Sequence, residues 1–108
     1  MSDLLDPLWA STLDRIDLDL PRHSVVIEAH AVDQGTTTRY QLECAGMTDF
    51  YYANEDFNVE PWAYASIEEA ELTEMSDGRV QVRLELWIPE WTLTVTATDV
   101  QLRTCSSA

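Results

Sequence analysis

From Arg79 to Ile88 apolar and polar side chains alternate without a break, with Val80, Val82, Leu84, Leu86 and Ile88 set between Arg79, Gln81, Arg83, Glu85 and Trp87. A period of two held over ten residues places the two sets on opposite faces of a β-strand, a separation that a helix cannot make. The same period recurs along most of the chain. Ile16, Leu18 and Leu20 alternate with Asp17 and Asp19. Val25, Ile27, Ala29 and Ala31 alternate with Val26, Glu28, His30 and Val32, and Tyr40, Leu42 and Cys44 with Arg39, Gln41 and Glu43 before Gly46. Met47 to Ala53 is a fourth expected strand. Beyond Pro89, Leu93, Val95 and Ala97 alternate with Thr92, Thr94, Thr96 and Thr98, a composition suited to a pleated surface; Val100 and Leu102 continue that strand past a register change at Asp99.

The turns agree with this spacing. Pro21–Arg22, Asp33–Gln34–Gly35 and Ser76–Asp77–Gly78 separate the periodic runs, and the last is the strongest hairpin signal. Two stretches read differently. Leu4, Leu5, Leu8 and Trp9 have helical spacing, which predicts a short N-terminal helix or an apolar lid with Pro7 tolerated in its first turn. Ser66 and Glu69 have the spacing of a capping box, with Ile67, Ala70 and Glu74 on one helical face, but Ala70 and Leu72 alternate with Glu71 and Thr73 directly before the Asp77–Gly78 turn. We read that segment as strand. About seven short strands predict a mainly β fold, an antiparallel sandwich or partly open barrel. Residues 1–108 form one acidic domain on this reading, with 103–108 as a flexible tail.

Charge then narrows the partners. Twenty acidic residues oppose six basic ones, every basic one is arginine, and the formal charge is −14. Such a chain repels nucleic acid and anionic lipid and attracts cations and basic proteins. A proteome adapted to high salt, or one rich in arginine codons, would give similar proportions without any binding face. Clustering favours a face: Asp14, Asp17 and Asp19 share one early strand, and Glu68, Glu69, Glu71, Glu74 and Asp77 follow one another closely. No stretch has the roughly 18 apolar residues that span a bilayer, and the first residues lack a signal peptide's basic flank, so a cytoplasmic location is expected. Cys44 reads as a core thiol and Cys105 as a thiol of the tail, unpaired.

The candidate site is the stretch from Phe50 to Tyr64, which holds six of the ten aromatic residues and three carboxylates. Stiff rings supply contact area and acids select a cationic counterpart, so Tyr51, Tyr52, Glu55, Asp56, Phe57, Glu60, Trp62 and Tyr64 are the expected partner-binding residues. The alternative is that these rings close the end of the sheet as ordinary core. Chemistry finds less support. Asn54, Asp56, Asn58 and Glu60 alternate oxygen donors like a calcium loop, but Phe57 replaces the turn glycine and Ala65 the bidentate glutamate. His23 and His30 have no zinc-ligand spacing, and His30 reads as a satisfied strand residue. No GxSxG, phosphate loop or dinucleotide fingerprint occurs. Neither a catalytic residue, a metal nor a cofactor is expected.

Leu8 and Trp9 before an acidic strand, Tyr40 and Leu42 leading to Ala45 and Gly46 with an aromatic run behind, Glu71 and Leu72, and Leu84, Glu85, Leu86 and Trp87 with the strand from Leu93 to Val100 resemble the small bacterial YxiG-like domains. The similarity spans most of the chain. It implies a fold of this kind and an association with immunity proteins of polymorphic toxin systems, and it brings no catalytic residues to carry over. The expected function is a non-enzymatic interaction or inhibitor protein whose acidic, aromatic face binds a basic partner such as a toxin or a nucleic-acid enzyme. A DNA mimic is the special case in which the acids imitate duplex phosphates, one charge per about 1.7 Å of axis. A small-molecule binder or enzyme, with Trp9, Tyr40, Trp62 and Trp87 lining a pocket, is the remaining alternative.

Overall fold

A computed structural model describes residues 4–53, 66–86 and 92–107. Among these residues there are eight strands in two four-stranded antiparallel sheets. The strands are β1 (Thr12–Asp19), β2 (Ser24–Asp33), β3 (Thr36–Ala45), β4 (Asp49–Ala53), β5 (Ile67–Glu74), β6 (Val80–Leu86), β7 (Thr92–Ala97) and β8 (Asp99–Ser107). The first sheet has the order β1-β2-β3-β8 and the second β4-β7-β6-β5.

The alternating residues become the core. Val25, Ile27 and Ala29 of β2 and Leu42 and Cys44 of β3 are buried, as are Val82, Leu84 and Leu86 of β6 and Leu93, Val95 and Ala97 of β7. Their neighbours point outward, so each sheet gives one face to the core and one to solvent. The N-terminal helix is only a 3-10 turn, Asp6–Leu8, with Pro7 inside it; Leu5 and Leu8 are buried and act as the expected lid. The segment read as strand against a capping box is strand, β5, and the Ser66 hydroxyl donates to Glu68 Oε2 at 3.2 Å. Gln34 and Gly35 both have positive φ, which closes the β2–β3 hairpin in two residues.

Three expectations need correction. The long final strand is two: β7 belongs to the second sheet, while β8 crosses to the first and pairs with β3 from Ala45↔Asp99 to Thr37↔Ser107. The phase change at Asp99 is therefore a change of sheet. Residues 103–107, expected as a flexible tail, are the second half of β8. Leu20 lies past the end of β1 and is 64% exposed, and Leu18 is exposed too, because β1 is an edge strand with one neighbour. The expected ending of the 79–88 run at Trp87, Ile88 and Pro89 lies outside the described residues.

The crossover depends on Gly46. It has φ +66°, and a Cβ there would collide with the Thr98 side chain, whose backbone N–H and hydroxyl both donate to the Ala45 carbonyl at 3.1 and 3.2 Å. Gly78 also has a left-handed φ, but nothing stands within 4 Å of where its Cβ would be. Substitution at Gly78 thus meets only the backbone penalty, about 1 kcal/mol. Gly46→Ala adds a steric collision where the β3–β4 and β7–β8 crossings between the sheets touch, and is expected to lower unfolding stability by at least about 2 kcal/mol. Urea denaturation of both variants checks this; equal losses would show that the Thr98 contact is not a constraint.

Candidate functional site

The two most acidic strands, β1 and β5, meet at one corner of the sandwich. Thr12 at the start of β1 bridges Ser66 just before β5, and the Ala10 and Ile67 N–H groups donate to Ile67 and Ser11 carbonyls at 2.7 Å each. The bridge is antiparallel and joins the first residue of β1 to the residue before β5, so β1 and β5 run away from this corner in opposite directions. Asp14, Asp17 and Asp19 lie on β1 beside one arginine, Arg15, which pairs with Asp17 at 3.5 Å. Glu68, Glu69, Glu71 and Glu74 lie on β5, which carries no basic residue.

The second sheet concentrates this charge on its outer face. β5 pairs with β6 so that Glu69 lies opposite Glu85 and Glu71 opposite Arg83. Hydrogen bonding to Glu85 and then to Glu71 pushes the Glu69 carboxyl up to about 7, as three carboxyl groups this close favour a shared proton. Arg83 binds Glu85 at 2.7 Å and offsets only part of the charge. By contrast, Arg79 holds Asp77 below the ordinary carboxylate range, first through its backbone N–H and then through its guanidinium, and it also donates to the Thr48 hydroxyl at 2.9 Å. That cluster ties the β5–β6 turn to the start of β4.

Of the expected partner-binding residues, Tyr51 and Tyr52 are described. Both are on β4, 62% and 39% exposed, so these two rings are not core. Tyr51 pairs with Thr94, Thr94 with Arg83 and Arg83 with Glu71, which puts the Tyr51 ring in one outward row with the acids. Tyr52 pairs with Leu93 and faces the inner side. β4 and β5 are opposite edges of the second sheet, so rings and carboxylates are three strand spacings apart, roughly 14 Å. Glu55, Asp56, Phe57, Glu60, Trp62 and Tyr64, together with the Asn54–Glu60 oxygen series, lie outside the described residues. Glu85, which the sequence reading left out, joins the cluster through pairing alone; its outward place in the Arg79–Trp87 alternation was the available signal.

The other candidates lie apart from this cluster. Trp9 is on the surface, its indole N–H donating to the Ala70 carbonyl at 3.1 Å, while Trp62 and Trp87 of the expected pocket lie outside the described residues. His30 on β2 has Nδ1 within 2.8 Å of both Asp14 oxygens, at the bulge of β1. His23 is in the β1–β2 turn at φ +52°. Cys44 is a buried core thiol that burial, with a further contribution from Asp99, pushes up to about 12; Cys105 is exposed on β8. Glu28, Arg39, Tyr40, Gln41 and Arg103 line an open groove on the first sheet, about 330 Å³ in volume. Among the described residues, the buried polar ones are Ser11 and Thr96, neither a carboxylate, and no group of acids, histidines and cysteines has the arrangement of a metal site. None of their helices is long and apolar enough to cross a membrane.

Residues 1–94 match the model of the YxiG-like protein family. The chain belongs to that family. No curated protein matches it. The family match ends within β7, so the acid-bearing strands β1 and β5 lie inside it and β8 lies beyond.

The raised Glu69 carboxyl has a consequence for stability with a definite sign. Folding raises its affinity for a proton, so its contribution is fully present below the ordinary glutamate range and is lost as pH rises through about 7. Glu69→Gln keeps a donor for Glu85 and removes the charge. Thermal melts at constant ionic strength are expected to show the variant more stable than wild type at pH 8 and close to it at pH 5. The same difference at both values would exclude the shared proton.

Proposed function

We propose that this protein is a non-enzymatic interaction module that binds a basic partner protein through its acidic corner and the adjoining outer face of the second sheet. The observation that supports this reading most is the carboxylate cluster of Glu69, Glu71 and Glu85, which the single arginine Arg83 offsets only in part, with Asp14 of β1 on the other side of the Thr12–Ser66 bridge. Like charges held this close are unfavourable in the free protein, and a cationic surface relieves them. Binding therefore gains from the repulsion already present. Tyr51 supplies exposed aromatic area on the same face, where an arginine-rich partner can stack.

The partner fitting this description is a protein with a basic groove, such as a toxin or a nucleic-acid enzyme. If the groove normally holds nucleic acid, the carboxylates stand in for phosphates and the module is a DNA mimic; the chemistry of the contact is the same. A cytoplasmic location goes with such a partner. The immunity role is one instance of this reading.

Capture from host lysate with identification of the bound proteins provides the test. At low ionic strength the recovered proteins are expected to be basic. Recovery should fall as salt shortens the Debye length from about 30 to 8 Å, with the association rate dropping by about tenfold or more. A triple variant, Glu69→Gln, Glu71→Gln and Glu85→Gln, should lose the captured partner while remaining folded, and Tyr51→Ala should weaken capture with less effect on its salt dependence. Capture that ignores both salt and the triple variant would remove the electrostatic reading.

A further inference from the structure

The four sheet edges are not protected alike. β1 and β5 carry carboxylates along their length and each contains a bulge, at Asp14 and at Glu68, and β4 has five residues among those described. Charge, bulges and shortness are the devices by which edges avoid pairing with other chains. β8 has none of them. It is nine residues long, pairs with β3 in unbroken register, contains no proline, and balances one acid, Asp99, with one base, Arg103. Its other edge has no strand partner among the described residues.

The spacing of those two charges makes the strand complementary to itself. Asp99, Gln101 and Arg103 are on the outward face, with the opposite charges at positions i and i+4, while Val100 and Leu102 are half-buried on the inner face, packed against the core. In an antiparallel pair of two such strands centred on Gln101, each Asp99 lies opposite the other copy's Arg103 and each Val100 opposite the other copy's Leu102. Both faces are then matched at once. Centring the pair on Arg103 would oppose two guanidinium groups, and centring it on Cys105 would leave both charges unmatched.

We propose that two copies of this chain associate through β8, in antiparallel register about Gln101, to form a continuous eight-stranded sheet. The charge of −14 on each copy opposes this at long range, yet the dense acids of the first sheet are on β1, three strand spacings or about 14 Å from β8, beyond the Debye length of about 8 Å at 0.15 M salt. Self-association is thus expected to strengthen as salt is raised from about 0.01 to 0.15 M, the opposite of the response proposed for a basic partner. Arg103 is 67% exposed and bonded to Glu43 at 2.7 Å, so reversing its charge changes the surface and leaves the core intact.

Sedimentation of the full chain under reducing conditions, at both salt levels and up to about 1 mM protein, reads the association directly. Arg103→Glu should weaken it about tenfold or more, and adding Asp99→Arg should restore it to within about threefold, since the two cross-strand pairs are rebuilt with reversed sign. Cross-linking reads the register. In a Cys105→Ser background, Gln101→Cys places two thiols directly opposite, at a Cα separation of about 4.5–5.5 Å that a disulfide can span, and should oxidise to a dimer at least about tenfold faster than Cys105 of the native chain. A monomer at both salt levels would overturn the proposal and leave β8 open to another protein's strand. A dimer indifferent to Arg103→Glu, or faster cross-linking through native Cys105, would overturn it as well.

Discussion

The burial of alternate side chains between the two sheets is the interaction that everything else in this molecule rests on. Val25, Ile27 and Leu42 from the first sheet and Val82, Leu84, Leu93 and Val95 from the second are almost wholly removed from water. Each contributes about 1.5–3 kcal/mol. A pair of surface carboxylates 4 Å apart in water costs about 1 kcal/mol, so a single buried leucine outweighs such a contact. This is why a chain of charge −14 can fold while keeping its acids crowded. The period of two sends the charges outward by the same geometry that sends the leucines inward, and the acidic face is a by-product of strand register before it is anything else.

That geometry also explains which parts of the fold were legible from the residues. Arg79 to Leu86 became β6 because its alternation is long and closed by a turn, and Gln34–Gly35 became a hairpin because both positions take positive φ. Asp99 was misread for a physical reason: a phase change in the alternation looks the same whether a strand bulges or leaves for another sheet. Deciding between these required the pairing of β8 with β3, some sixty residues earlier, and the Gly46–Thr98 contact that makes room for the crossing. The run Thr104, Cys105, Ser106 and Ser107 looked like a tail because it is polar, but an edge strand already anchored by Val100 and Leu102 needs no further apolar side chain to keep its backbone bonds.

The site was legible in a similar, partial way. Crowding of Glu68, Glu69, Glu71 and Glu74 was visible in the sequence, and the structure adds Glu85, which only cross-strand pairing brings alongside Glu69. The sequence placed rings and acids together because Phe50 to Tyr64 is one stretch of chain. In the fold, Tyr51 and the acids of β5 share a face but stand on opposite edges, since β4 and β5 are consecutive in sequence and farthest apart in the sheet. A linear stretch overstates proximity wherever consecutive strands do not pair.

The carboxylates of β5 carry two consequences that cannot be varied independently. They are the charges a basic partner would meet, and they are also what keeps β5 from serving as a template for another strand, since beyond the Ser11–Ile67 contacts and the Trp9 bond to Ala70 its edge has no strand partner among the described residues. Neutralising them weakens the proposed recognition and bares an edge that carries Ile67, Ala70, Leu72 and Thr73 in the same step. β8 shows the other arrangement, an edge with balanced charge far from any acidic cluster. The uneven distribution of charge over the edges therefore has a physical reading that does not require a function for every acid: where the negative charge is dense, pairing is barred and cations are drawn; where it is cancelled, the backbone is free to pair.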